Sequence, residues 1–357
     1  MKLVADKPGA HCQAPQWSAD GLQLAYEVYR PKKDTRETWI AELAPSGTVI
    51  KRSEVSTGRS QASALLGGRK APIVDFEWAP TMTLLSKPYK LSSRGPKKNF
   101  DLFADGDWLT KNNPGNDGQP SWSHDGRYIG YASQRQDSGD IYVIDLGGNP
   151  DSHIRATLWP NATEFRPQWS PTKNFLLFTR SQEGANGQDI GLVIDIRRPE
   201  DTTRMVTQWP GDEIRPSWSP DGVRVAFYSN RGYKTDSKRF DLWVIGVDGK
   251  NEVKLATDVV VDEHSGPAWT PDGQNVLYVK RDFKRDNPIE WVRVDGGKGG
   301  TLTTDTQLNS DLVIFGKGGS WKLAFRSLGR RGAKDMVWQR IFTTEMKASD
   351  FGGQDAP

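Results

Sequence analysis

An all-β fold of repeated four-stranded sheets is what this chain predicts, and three observations carry that prediction. A Trp opens nearly the same phrase six times: QWSADGLQLAY at Trp17, EWAPTMTLL at Trp78, SWSHDGRYIGY at Trp122, QWSPTKNFLLF at Trp169, SWSPDGVRVAF at Trp218 and AWTPDGQNVLY at Trp269. The phrase returns every 44 to 61 residues, the length of one small sheet. With 36 Gly and 22 Pro in 357 residues, turns are frequent and long helices disfavoured. Together they predict a β-propeller in which each unit is one blade.

Residues 212 to 258 show how one unit is written. DEIRPSWS reads as a first, inner strand, and Pro220, Asp221 and Gly222 as the hairpin turn, because Pro fixes φ and Asp-Gly supplies the positive φ. VRVAFYS alternates as a half-buried second strand should. RGYKTDSKRF is a polar loop, DLWVIGVDG a third strand closed by another Asp-Gly turn, and KLATD the outer strand. The same order recurs over 117 to 158 and from 164 onward. Asp101, Asp140, Asp189 and Asp241 each start a third strand. That recurrence is expected of a residue capping the loop-to-strand turn through backbone N–H groups, not of a ligating set.

A seventh copy is readable at DLVIFGKGGSWKLAFRS (311 to 327), with Ile314 in place of Trp, followed by DMVWQRIFT from Asp335. KLVAD at 2 to 6 matches KLATD at 254 to 258. An outer strand placed before the first inner strand has only the last blade to join, which predicts closure by strand exchange between the two ends. The expectation is seven four-stranded blades, with six as the alternative, in a single propeller domain over 1–343 and a polar C-terminal tail over 344–357.

Composition sets limits. Hydrophobic residues make up 35% and mean hydropathy is −0.67, so the core must lie in thin layers between sheets. No apolar run of about 18 residues exists to span a membrane. The net charge of +3, from 48 basic and 45 acidic residues, gives no reason to expect nucleic acid as a partner. The basic run of Lys87, Lys90, Arg94, Lys97 and Lys98 reads as a solvated loop. A single cysteine, Cys12, excludes an intramolecular disulfide. MKLVADKPGA carries neither the apolar core nor the cleavage pattern of a signal peptide, as expected of a cytoplasmic protein or of the mature form of an exported one.

P-x-W-S-P-D-G, an alternating strand and then D-I-Y-V-x-D resembles the repeats of TolB-like propellers, over about residues 2 to 342. The resemblance implies an exported, periplasmic protein that binds protein partners at the propeller mouth, in a family whose channel sometimes holds a cation. Related repeats occur in seven-bladed pectin-fragment lyases, which by resemblance use a histidine-rich metal site.

Ligands of such folds bind where inner strands converge, so the residues just before each Trp are the candidates. Five positions upstream lie Cys12, Ile73, Asp117, Glu164, Glu213 and His264, with Asn309 in the seventh copy. Three positions upstream lie Ala14, Asp75, Gln119, Arg166, Arg215, Gly266 and Asp311. Strand alternation puts both sets on one face. The expected mouth is a carboxylate arc of Asp117, Glu164 and Glu213 beside His264, with Asp75 also at the mouth and the two arginines, Arg166 and Arg215, as counter-charges or anchors. It suits a protein or peptide partner. A channel-bound divalent cation is the alternative, and an ordinary solvated rim the plainest reading. No G-x-S-x-G elbow is present. The function expected is therefore a non-catalytic binding scaffold with no cofactor. A metal-assisted carbohydrate lyase or hydrolase working at the same mouth is the alternative; the sequence does not set the oligomeric state.

Overall fold

The Trp17, Trp122, Trp218 and Trp269 phrases each fold as a strand, a tight turn and a second strand, and the turn explains the Ser-x-Asp-Gly lettering. The hydroxyl of Ser18, Ser123 or Thr270 donates to the Asp two residues on, at 2.6 Å in all three. That carboxylate accepts the N–H two residues further along, from Leu22, Arg127 and Gln274 at 2.9 to 3.0 Å. Gly21, Gly126, Gly222 and Gly273 stand at φ of 66 to 71°, where a side chain would be strained.

We describe a computed structural model of the chain over residues 1–55, 73–78, 84–88, 100–104, 107–111, 113–135, 139–149, 151–182, 187–234, 238–262, 264–282, 284, 286–302, 306–317, 319–330 and 338–351. The side chains of Asp75 and Lys87, and the rest of the basic run from Lys90 to Lys98, lie outside the described residues. Two compact units result, one of residues 1–35, 39–53 and 211–357, the other of 36–38 and 54–210.

All main elements are strands. Every four-stranded sheet is antiparallel, a meander except where Lys2–Ala5 joins the Ile314 sheet, and is named here by the residue that opens its phrase. In the first unit the Trp17 sheet runs through His11–Trp17, Gln23–Arg30, Thr35–Leu43 and Val49–Val55. The Trp218 sheet runs through Glu213–Trp218, Arg224–Ser229, Phe240–Gly246 and Val253–Val259. The Trp269 sheet comprises Ala268–Trp269, Asn275–Val279, Ile289–Arg293 and Gly299–Leu302. A fourth, the Ile314 sheet, takes Ser310–Lys317, Ser320–Ser327 and Arg340–Met346 from the end of the chain. Its outer strand is Lys2–Ala5, antiparallel to Arg340–Met346 with Lys2 opposite Thr343. The KLVAD segment thus serves as an outer strand, paired with the last strand of the sheet. A short ladder of Thr306–Gln307 with Gly329–Arg330 completes this unit.

The second unit holds the Trp78 sheet (Ile73–Trp78, Leu84–Pro88, Phe103–Ala104, Asp107–Trp108), the Trp122 sheet (Asp117–Trp122, Tyr128–Ser133, Asp140–Asp145, His153–Arg155) and the Trp169 sheet (Ala162–Trp169, Leu176–Gln182, Gln188–Val193, Thr203–Met205). No helix among the described residues is long and apolar enough to cross a membrane.

The core lies in layers between neighbouring sheets. Trp169 packs with Tyr128, Ile141, Val143 and Phe178, its ring stacked on Tyr128 at 5.6 Å. Gly130 makes room for it, since a Cβ there would meet the Trp169 indole nitrogen at 3.0 Å. Trp269 is buried between its own sheet and the Trp218 sheet, and its indole N–H donates to the Ser217 carbonyl at 3.0 Å.

Two details differ from expectation. The last strand continues to Met346 and a single 3₁₀ turn follows, so the segment after 343 is not simply a polar tail. Phe351 is buried, 5.6 Å from the Trp291 ring and 5.7 Å from that of Trp321. The recurrent Asp at the head of the third strand mainly ties that strand to the outer one. Asp140 pairs with Arg155 at 2.8 Å, Asp241 with Lys254 at 2.9 Å, and Asp101 accepts from the Thr110 hydroxyl at 3.2 Å. Asp241 also accepts the N–H of Asp258, on the outer strand, at 3.0 Å.

Candidate functional site

The candidate site is built on the first strand of each sheet, and its geometry turns on one backbone conformation. Three residues before the key position, Ala14, Gln119, Arg166, Arg215 and Asp311 all stand in the left-handed region, at φ of 50 to 56°. The ladder to the second strand shifts register at the same place, between Gln13 and Gln16, Gly118 and Ser121, Phe165 and Gln168, Ile214 and Ser217, and Ser310 and Val313. This is a β-bulge repeated in each of these five sheets. It breaks the simple alternation expected of the strand, so the residues five and three positions upstream do not share one environment.

The carboxylates five positions upstream are buried: Asp117 is 1% exposed, Glu164 and Glu213 are 0%. Asp117 and Glu213 hold polar partners nearby, whereas neither Glu164 carboxylate oxygen makes a hydrogen bond among the described residues. Asp117 accepts from the Asn113 amide at 2.8 Å, and Glu213 from the Ser229 hydroxyl at 2.7 Å. Burial pushes the Glu164 carboxyl up to about 7, against the opposing pull of the Thr157 hydroxyl. Burial likewise raises Asp117, with Ser133, Asn113 and Thr110 holding it back. Asp101 is pushed up to about 6 by burial and then by the neighbouring charge of Asp117.

The residues three positions upstream face a different environment. Gln119, Arg166 and Arg215 are half-buried. Their backbones also form links between sheets: the Gln119 side-chain oxygen accepts the Arg166 N–H at 2.8 Å, and Asp311 Oδ2 accepts the Ala14 N–H at 3.3 Å. Each acceptor stands three residues before its own key position, and each donor holds that same position in the adjoining sheet.

His264 is half-buried, and it lies outside the strand because the first strand of its sheet is only Ala268–Trp269. His11 accepts the Gln339 N–H at 3.4 Å and meets the Trp338 ring edge-on at 5.2 Å. Burial, and then the charge of Arg326, hold its imidazole below the ordinary value. Among the described residues no three His, Cys, Asp or Glu side chains converge in a way that could hold a metal ion. Cys12 is buried, and its thiol is pushed up to about 12 chiefly by desolvation, which makes it an inert core residue.

The sequence did not single out three groups that the structure brings forward. Thr110, Thr157 and Thr207 are buried hydroxyls, each accepting at 2.9 Å the N–H of a residue in or just before a third strand, Leu102, Ile141 and Ile190. Asp262, on the connection before Trp269, and Arg326, opposite Ser310 in the ladder, stand beside Asp311. The threonines were detectable, since each lies six or seven residues before Asp117, Glu164 or Glu213. Asp262 sits outside every repeated phrase and carried no such signal.

No protein-family model matches the chain. Over 186 residues it is 26% identical to the uncharacterized peptidase YuxL of Bacillus subtilis, a match covering 51% of this chain and 25% of that relative. The alignment thus spans a quarter of the relative's length. Among solved structures, a TolB from Agrobacterium tumefaciens superposes with a TM-score of 0.52 at 21% identity, covering 76% of this chain and 90% of that one. An oligogalacturonate lyase in complex with manganese gives 0.60 at 11% identity over 96% and 92% of the two chains. A puromycin-hydrolyzing peptidase of Mycobacterium tuberculosis gives 0.62 at 11% identity over 98% of this chain and 54% of that one. At these identities the likeness is one of fold, and the fold is a β-propeller of four-stranded blades with TolB among its neighbours.

Proposed function

We propose that this chain is a non-catalytic, TolB-like propeller that binds a protein or peptide through the ends of its first strands, in the cell envelope. The observation that carries this reading is the division of labour along those strands. Carboxylates that would serve as ligands or acids are buried inside their sheets, whereas Arg166 and Arg215 are half-buried on left-handed bends. Guanidinium groups so placed suit a carboxylate of a partner chain, which they bind through paired N–H donors. Asp117, Glu164, Glu213, His264 and Asp75 then act as supports of that surface. The count of seven blades, against six, goes with this reading; its support is four four-stranded sheets in one unit and three in the other. The pairing of Lys2–Ala5 with Arg340–Met346 supports closure.

A second reading is favoured by coverage: nearly all of this chain aligns with about half of a peptidase. In that case the propeller would serve as the accessory module of a hydrolase. The metal-assisted carbohydrate enzyme rests on likeness of fold alone.

Binding to arrays of acidic, neutral and basic peptides tests the proposal. Acidic peptides should bind, and Arg166→Ala/Arg215→Ala should lose at least about tenfold in affinity, one charge-assisted contact being worth about 1.5 kcal/mol or more. Unchanged binding in the double variant would remove the arginines from the site. Heat released on titration with manganese would instead support the metal reading.

A further inference from the structure

The Trp17 sheet differs from others in what covers its Trp. In the ladder between first and second strands, one residue stands just before the partner of the key position. Tyr128 holds that place in the Trp122 sheet, Arg224 in the Trp218 sheet and Lys322 in the Ile314 sheet. Each lies over the Trp of the sheet packed on its own. Tyr128 stacks on Trp169 with centroids 5.6 Å apart, and Arg224 lies over Trp269 at 5.4 Å. Both indoles are covered, at 6% and 7% exposed. Lys322 offers Trp17 only an ammonium, 5.8 Å from the ring, and Trp17 stays half-buried.

A cavity of about 280 Å³ opens on this indole. One wall is a face of the Ile314 sheet. Lys2 stands opposite Thr343, and Lys322 opposite Glu345, in the ladders of that sheet. All four side chains therefore share the face on which Lys322 meets Trp17. Phe315, opposite Lys322, flanks the indole with ring centroids 6.3 Å apart. Lys322 is anchored by donating to the Gly21 carbonyl at 3.0 Å, which takes one of the three donors of an ammonium. The other wall is the turn that carries Gly47, where a Cβ would stand 3.5 Å from the Lys2 ammonium. Glu345 is exposed, at the rim.

Two ammonium groups thus face one carboxylate beside the open face of an indole. A cation would be repelled by both lysines. An inorganic anion would gain nothing from the indole, and a neutral ring would desolvate the ammonium groups without compensation. A ring that carries a carboxylate satisfies both kinds of wall. We propose that this cavity binds a small aromatic carboxylate, its ring against Trp17 and its charge held by Lys2 and Lys322. A cavity of about 150 Å³ is enough for benzene, so this one takes a single ring with a short acidic arm. Trp17 lies at the opposite end of its strand from Cys12 and Ala14, the positions that match the proposed peptide surface. The site does not depend on that reading.

Calorimetric titration of the full chain with phenylacetate, phenylacetamide, 2-phenylethylamine and acetate tests the site. Phenylacetate should bind, and the other three at least about tenfold more weakly, because each lacks the negative charge or the ring. Lys322→Met keeps the apolar stem and removes the ammonium, and it should lose about tenfold for phenylacetate. Lys322→Tyr copies the cover that Tyr128 gives Trp169. It should abolish phenylacetate binding and raise the melting temperature of the free protein. Phenylacetate and its amide binding equally would overturn the proposal, as would unchanged phenylacetate affinity in Lys322→Tyr. Should Lys322→Tyr fail to fold, the four ligands on the wild type and Lys322→Met decide. No binding of phenylacetate at millimolar concentration would equally sink it.

Discussion

Glu164 shows how a residue type can be legible while its state is not. Its place in the repeat marks it as an acid before Trp169, and the spacing assigns it to the first strand. Nothing in the spacing says that the carboxyl is fully buried, because burial depends on the neighbouring strands that close over it. With its value raised to about 7, the folded state holds a proton that an unfolded glutamate releases between about pH 4 and about pH 7. Stability therefore falls as pH rises through that window, by at most about 1.4 kcal/mol per pH unit. Glu164→Gln should flatten this slope and leave the variant more stable than wild type near pH 8, by on the order of 2 kcal/mol. Denaturant melts at several pH values measure it. Trp169, by contrast, is a core residue already in the sequence, and Trp169→Ala should cost about 3–5 kcal/mol.

The turn and the bulge differ in how much of each is written locally. Ser-x-Asp-Gly is a self-contained device: hydroxyl, carboxylate and positive-φ glycine lie within four residues, so its letters predict its shape. Ser219→Ala removes an acceptor for the Arg224 N–H at 2.9 Å and a donor to Asp221. A loss of about 1 kcal/mol in urea melts is expected, and it should not add to that of Asp221→Ala, since both act through one network. The bulge has no such lettering. Ala14, Gln119, Arg166, Arg215 and Asp311 share a φ near 50° but no side-chain type, so alternation was the natural expectation and failed there. The signal lay in function across sheets, where Gln119 and Asp311 serve as acceptors. Arg166→Gly should fold as well as wild type or better, gaining up to about 1 kcal/mol from the relaxed left-handed bend, yet bind acidic peptides poorly. A variant that loses stability and keeps binding would contradict both the bend and the proposed role.

For the molecule as a whole, the repeat made the sheet pattern readable, because each copy carries its own strands and turn. The pairing of the chain's two ends was readable for the same reason, as KLVAD repeats the outer strand of a later copy. Val4 and Ala5 are fully buried, the Val4 carbonyl accepts from Arg52 at 2.6 Å, and Asp6 pairs with Arg340 at 3.2 Å. Removing residues 1–6 should bare the edge of Arg340–Met346, cost at least about 3 kcal/mol and promote association through that edge. A peptide of sequence KLVAD added in trans should restore the melting temperature. Size-exclusion profiles and melts with and without the peptide check both outcomes.

The pairing of Lys2 with Thr343 also sets a timetable. During synthesis Lys2–Ala5 has no partner until Arg340–Met346 has been made, although each intervening sheet can form as its own hairpins appear. The apolar Val4 and Ala5 must wait in the open throughout. A contact of such long range makes the last step slow. Lys2–Ala5 is therefore left open to chaperones and proteases until Arg340–Met346 has been made and the two strands meet.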